Sequence, residues 1–237
     1  MPATTNFINY LMNRLPGSIG LALLIFIAGC DNNKQDVAPK QLEANKNNTV
    51  ESASKMKTIL FFGNSITAGY GVDPSEAFPA LIQTKIDSLK LNYKVINAGV
   101  SGETSAGGNG RVNWILRQPV DIFVLELGGN DGLRGIPLTE TKKNLQSIID
   151  KVKAKYPGVK LVLAGMQIPP NMGEQYTTTF KKIYPDLAAK NDMILIPFLL
   201  QGVGGEARLN QPDRIHPTPE GHKILAENVW TVLKDDL

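Results

Sequence analysis

Five short apolar runs rich in β-branched and aromatic residues, at 58–62, 93–98, 121–127, 160–164 and 193–197, alternate with longer segments of helical spacing near 75–90, 104–118, 139–156, 174–190 and 218–235. Strand and helix in strict alternation return as right-handed crossovers, which make the strands parallel and put helices on both faces of the sheet. The pattern therefore predicts a doubly wound, flavodoxin-like α/β domain: a five-stranded parallel sheet in a three-layer α/β/α arrangement. In segment 139–156, Leu145, Ile148, Ile149 and Val152 fall at i, i+3, i+4 and i+7, while Lys142, Lys143, Asp150 and Lys151 take the other side, as in a helix with one face on a sheet. Ligand sites in such domains lie beyond the carboxyl ends of the strands. Polar and glycine-rich clusters are thus expected directly after them.

The N-terminal quarter does not fit this alternation. Residues 19–30 read Ile-Gly-Leu-Ala-Leu-Leu-Ile-Phe-Ile-Ala-Gly-Cys, an apolar stretch shorter than the about 20 residues that span a bilayer, preceded by Arg14 and no acidic residue. It reads as a signal-peptide core, and its close, Ile27-Ala28-Gly29-Cys30, resembles the lipobox of bacterial lipoproteins. That resemblance implies a signal peptide over 1–29, cleavage before Cys30, lipidation of its thiol and a location on the cell envelope, at the periplasmic or outer-membrane face. Residues 30–56 hold few large apolar side chains and read as a flexible tether. The rest, 57–237, is expected to be one domain. A net charge of +3 with no run of basic residues argues against a nucleic-acid partner. A single cysteine excludes an intrachain disulfide.

The clusters after the strands carry the chemistry. Gly63-Asn64-Ser65-Ile66-Thr67-Ala68-Gly69-Tyr70-Gly71 follows the first run, Asn97-Ala98-Gly99-Val100-Ser101-Gly102-Glu103-Thr104 the second, and Gly128-Gly129-Asn130-Asp131-Gly132 the third; Asp213-Arg214-Ile215-His216-Pro217 precedes the last helix. A serine hydroxyl is a weak nucleophile near neutrality and needs an adjacent base, usually a histidine held by a third group. The chain has two histidines. His216 lies three residues after Asp213, so a turn can bring the carboxylate to Nδ1 and aim Nε2 at Ser65; Asp213 as a mere turn former is the alternative. His222, inside the last helical segment, is expected at the surface or behind the site.

With these four blocks in this order, the chain resembles the SGNH, or GDSL-like, hydrolases over about 57–230, and within them the branch of thioesterases, lysophospholipases and arylesterases, through Ala-Gly-Tyr-Gly and the Gly-Gly-Asn-Asp-Gly-Leu-Arg-Gly of 128–135. The resemblance implies an esterase acting on aryl, acyl or lysophospholipid-type esters or thioesters. Ser65 would be the nucleophile, with Asp213 and His216 beside it. The backbone amides of Ser65 and Gly102 and the side-chain amide of Asn130 would form an oxyanion hole. One position departs: where the family usually has aspartate before the serine, this chain has Asn64, which keeps the shape but loses the charge.

The loop Gly165-Met166-Gln167-Ile168-Pro169-Pro170-Asn171-Met172-Gly173 follows the fourth run, and Met166, Ile168, Pro169 and Met172 are expected either to line an acyl or aryl pocket or only to pack the loop. No metal site and no cofactor are expected: two histidines and one cysteine do not build an ordinary zinc site, and the place of a dinucleotide fingerprint is taken by the serine block. The expected partners are a small ester or lipid substrate and, through the N-terminal anchor, a membrane. Two further readings stay open at this point, an esterase removing O-acetyl groups from carbohydrate and a surface binding protein that keeps the fold without turnover.

Overall fold

The computed structural model describes residues 55–237; the signal segment, Cys30 and all of the tether but its last two residues lie outside the described residues. The strands are β1 (Lys57–Gly63), β2 (Tyr93–Gly99), β3 (Ile122–Glu126), β4 (Lys160–Ala164) and β5 (Ile194–Ile196). They form one parallel sheet in the order β2-β1-β3-β4-β5. The helices are α1 (Ser65–Ala68), α2 (Phe78–Ser88), α3 (Ser105–Ile115), α4 (Gly129–Leu133), α5 (Leu138–Lys155), α6 (Glu174–Asn191) and α7 (Pro219–Leu233). This is the expected doubly wound sheet of five strands.

The central strands show why the sheet sits in the middle. Ile59 to Phe62 of β1 and every residue of β3 are buried, as strands covered on both faces require. On α5 the stripe Leu145, Ile148, Ile149, Val152 is buried, with Lys142, Lys143 and Asp150 exposed; Lys151 is half-buried because its ammonium reaches Asn109 of α3. The chain leaves β1 to one side to form β2 and returns to the other side to form β3. This reversal opens a crevice at the carboxyl ends of β1 and β3, where Gly63 is in register with both Gly99 and Glu126.

Two short helices fall inside the glycine-rich clusters that follow β1 and β3. Both α1 and α4 are too short for an apolar period to declare them. Asn64 starts α1 by accepting a hydrogen bond from the Ile66 amide through its side chain, and Gly128, at φ 102°, turns the chain into α4.

Candidate active site

All four blocks meet at that crevice. The fourth is a self-closed loop: the Gln211 amide donates to the His216 carbonyl (2.7 Å), and Asn210 pairs with Pro217 as an antiparallel bridge. Within it, Oδ1 of Asp213 accepts from the amides of Ile215 (2.9 Å) and His216 (3.0 Å), while Oδ2 lies 2.6 Å from Nδ1 of His216. Asp213 is therefore a turn former through one oxygen and the imidazole's partner through the other. Nε2 of His216 lies 2.8 Å from Oγ of Ser65, across 151 residues of chain. With Nδ1–H donating to the carboxylate, Nε2 is left as the acceptor for the serine proton. Partial burial alone would push the Asp213 carboxyl up; the hydrogen bonds from the His216 ring and from the Ile215 and His216 amides outweigh it and hold the group at about 2. The carboxyl is therefore ionised near neutral pH.

The remaining blocks are tied to this pair. The Val100 amide donates to the Gly63 carbonyl (2.9 Å), fastening the second block to the end of β1. Gly102 stands in the left-handed region at φ 78°, and its carbonyl accepts from Arg134 (3.1 Å). Asn130 donates one side-chain N–H to the Glu103 carbonyl (2.9 Å), linking the second and third blocks. An amide nitrogen carries two N–H groups, so this bond uses only one of them. Arg111 grips Glu103 with Nε (2.6 Å) and Nη2 and also reaches the Ala98 carbonyl, with its guanidinium over the Phe62 ring. From the fourth block, Gln211 donates to the Tyr70 carbonyl (2.7 Å), and the Tyr70 ring lies against the His216 ring at 4.6 Å.

A cavity of about 360 Å³ opens beside Ser65, within the range of small-ligand pockets. Met166, Ile168, Pro169, Phe198 and Leu200 are among its apolar lining, and Asn130 and Gln167 among its polar lining. Met172 does not belong to it. The turn Pro170–Met172 carries the chain outward, and Met172 sits in a separate shallow depression with Leu138 and Tyr176. His222 is not at the surface either. It lies on the inner stripe of α7 with Leu225, Ala226 and Val229 and is fully buried, with Nδ1 accepting from the Phe78 amide (3.3 Å) and Nε2 meeting no hydrogen-bond partner among the described residues. Burial pushes its pKa down to about 4, with a smaller contribution from His216. The spacing His222, Leu225, Ala226, Val229 was the signal for its burial. Among the described residues no group of three or more His, Cys, Asp or Glu is arranged to hold a metal ion.

One buried residue beside Ser65 was not singled out from the sequence. Glu126 ends β3, is 1% exposed, and accepts from Asn64 and Thr67 on either side of Ser65. An acid inside the stretch 122–127, otherwise wholly apolar and expected to be buried on both faces, was its sequence signature; Asp121 only opens the run.

Comparison with known proteins shows the family and the fold. The model of the GDSL-like lipase/acylhydrolase family matches residues 61–224. The chain is 42% identical over 179 residues to the esterase TesA of Pseudomonas aeruginosa, covering 75% of this chain and 88% of that one. It is 38% identical over 176 residues to the thioesterase 1/protease 1/lysophospholipase L1 of Escherichia coli K12, covering 74% and 82%. Among solved structures, the crystal structure of TesA superposes with a TM-score of 0.73 at 42% identity, covering 76% of this chain and all of that one.

Proposed function

The chain belongs to the GDSL-like lipase/acylhydrolase family and is a serine hydrolase of carboxylic esters or thioesters, and from that premise we propose that Ser65, His216 and Asp213 carry the reaction on substrates whose acyl or aryl group enters the apolar cavity. The observation that carries this is the unbroken chain Ser65 Oγ–His216 Nε2 (2.8 Å) and His216 Nδ1–Asp213 Oδ2 (2.6 Å), opening onto that cavity.

Neutral His216 takes the Ser65 proton as Oγ attacks the ester carbonyl. The oxyanion that forms is met by the amides of Ser65 and Gly102 and the free side-chain N–H of Asn130. Protonated His216, steadied by ionised Asp213, gives its proton to the leaving alcohol or thiol and leaves an acyl-Ser65. A water deprotonated by His216 then attacks that ester, and the carboxylic acid departs as Oγ regains its proton.

The Met166, Ile168, Pro169, Phe198 and Leu200 walls suit aryl and fatty acyl groups, including those of lysophospholipids, over the small acetyl groups of a polysaccharide. The residues Ile27-Ala28-Gly29-Cys30 support a lipid anchor on Cys30 and a location on the cell envelope. Replacing Cys30 by serine is then expected to move the protein from the membrane to the soluble fraction; a membrane-bound Cys30→Ser variant would remove the anchor from the proposal. For the active site, a fluorophosphonate is expected to label the wild type and not Ser65→Ala, and p-nitrophenyl esters longer than acetate to be cleaved faster than acetylated xylan. Equal labelling of a folded Ser65→Ala variant overturns the assignment of the nucleophile, and preference for the xylan overturns the acyl slot.

A further inference from the structure

The last residue of β3 is a buried acid directly behind the nucleophile, and the reaction as written does not use it. Glu126 is in register with Gly63 of β1 and is 1% exposed. Burying a carboxyl is costly unless donors surround it. Here donors do: the Asn64 amide (3.1 Å) and the Thr67 hydroxyl (2.8 Å) on Oε2, the Asn64 side-chain amide (2.6 Å) on Oε1, and the Thr67 backbone amide beside them. Residues 64 and 67 bracket Ser65, and the grip continues through Asn64, whose Oδ1 accepts from the Ile66 amide (2.9 Å). The backbone is shaped to admit this acid: a Cβ on Gly63 would lie 2.6 Å from Oε2 and closer still to the Thr67 hydroxyl.

We propose that Glu126 is a positioning residue for Ser65, its carboxylate clamping residues 64 and 67 so that Oγ is held toward His216, and that Asn64 is the matched partner that lets a carboxylate serve there. This rests on the reading of Ser65 as nucleophile. Donors and acceptors match one to one across the clamp. Every neighbour of the Glu126 oxygens is a donor, so an ionised carboxylate satisfies the set, whereas a glutamine would turn an N–H toward the Asn64 N–H. The orientation of Asn64 is fixed from both ends, because a flipped amide would face its oxygen to the carboxylate and its N–H to the Ile66 N–H. An aspartate at 64 would set two carboxyls 2.6 Å apart, able to coexist only by sharing a proton.

The charged and titratable groups around this clamp fit the same picture. From α6, the Tyr184 hydroxyl donates to the Leu127 carbonyl (3.0 Å), and burial first, then the nearby Glu126 and Asp131 of α4, hold that phenol in its neutral form. From α3, Arg111 reaches the Gly63 carbonyl (3.4 Å) while its charge is satisfied by Glu103. Burial pushes the Glu126 carboxyl up to about 7, against the Thr67 and Asn64 hydrogen bonds that pull it down, so the clamp is mostly charged at pH 8.

The test is a reciprocal swap at pH 8, read as kcat and KM on a p-nitrophenyl ester. In Glu126→Gln the donor set clashes, and kcat is expected to fall at least fivefold with KM within twofold, since Glu126 touches no substrate. In Asn64→Asp/Glu126→Gln the polarity is reversed intact. The glutamine's side-chain N–H then donates to the aspartate, its carbonyl oxygen accepts from Thr67 and the residue 64 amide, and the aspartate still accepts from Ile66. The double variant is expected within fivefold of wild type. A Glu126→Gln kcat within fivefold of wild type overturns the proposal, and so does a double variant that is unfolded or more than fivefold slow; the double variant decides even if Glu126→Gln alone does not fold. Wild-type activity that persists in Ser65→Ala would instead sink the underlying assignment of the nucleophile, which separates the two failures.

Discussion

Between pH 4.5 and 6.5 two buried groups act on stability in opposite directions. His222, held down at about 4 against an ordinary 6.5, stays neutral in the folded state while the unfolded chain takes up a proton. Its contribution is complete above 6.5 and is lost as pH falls toward 4. Glu126, pushed up from an ordinary 4.5 to about 7, keeps a proton in the folded state that the unfolded chain has released. Its contribution is complete below 4.5 and is lost as pH rises toward 7. At about 1.36 kcal/mol per pH unit, each displacement corresponds to roughly 3 kcal/mol, of which about 2 kcal/mol falls inside the window by the linkage relation. Asp213, held at about 2, and Asp73, also lowered, titrate mainly below the window. Wild-type stability is therefore expected to be nearly flat from pH 4.5 to 6.5. Glu126→Gln removes one side of the balance, and its stability is expected to rise by about 2 kcal/mol from pH 4.5 to 6.5, a shift of about 1 M in the urea midpoint. Urea unfolding at both pH values and constant ionic strength measures it, and the slope with pH separates titration from any pH-independent cost of the lost hydrogen bonds. A variant as flat as the wild type would refute the opposed pair.

Asp213→Asn keeps the turn to the Ile215 and His216 amides but not the acceptor for Nδ1–H, so kcat is expected to fall by about 10³ to 10⁴ with KM little changed; a fall below tenfold would leave Asp213 a turn former only. Asn130→Ala removes the side-chain donor, at roughly 2.7 to 4 kcal/mol of barrier or about 10² to 10³ in kcat, and a loss confined to KM would take it out of the oxyanion hole. Met166→Trp fills the cavity beside Ser65, and kcat/KM for long acyl esters is expected to drop about tenfold or more while acetate esters change little, the 1–3 kcal/mol scale of a pocket contact; equal losses for both would place the acyl chain elsewhere.

Much of this protein was legible along the chain. Alternating periods announced the parallel sheet, and polar blocks directly after the apolar runs marked where chemistry sits, because a doubly wound sheet leaves its strand ends open and buries nearly everything else. The reach from Asp213 to His216 is three residues, a distance local geometry can judge. The helices α1 and α4 escaped because a turn or so of helix has no period to read, and their starts depend on a cap at Asn64 and a positive φ at Gly128.

The amino-acid order by itself determined the strand and helix alternation, the choice of Ser65, His216 and Asp213 as candidates for one site, and the apolar character of the 165–173 loop. Only the tertiary structure decided that Met172 lines a depression apart from the cavity, that Nδ1 of His222 meets the Phe78 amide at the start of α2, and that Glu126 and Asn64 pair behind Ser65. Periodicity tells which face of its own element a side chain takes. It says nothing of which residue stands opposite, and the register of β1 on β3, with Gly63 beside Glu126, exists only once the strands have paired.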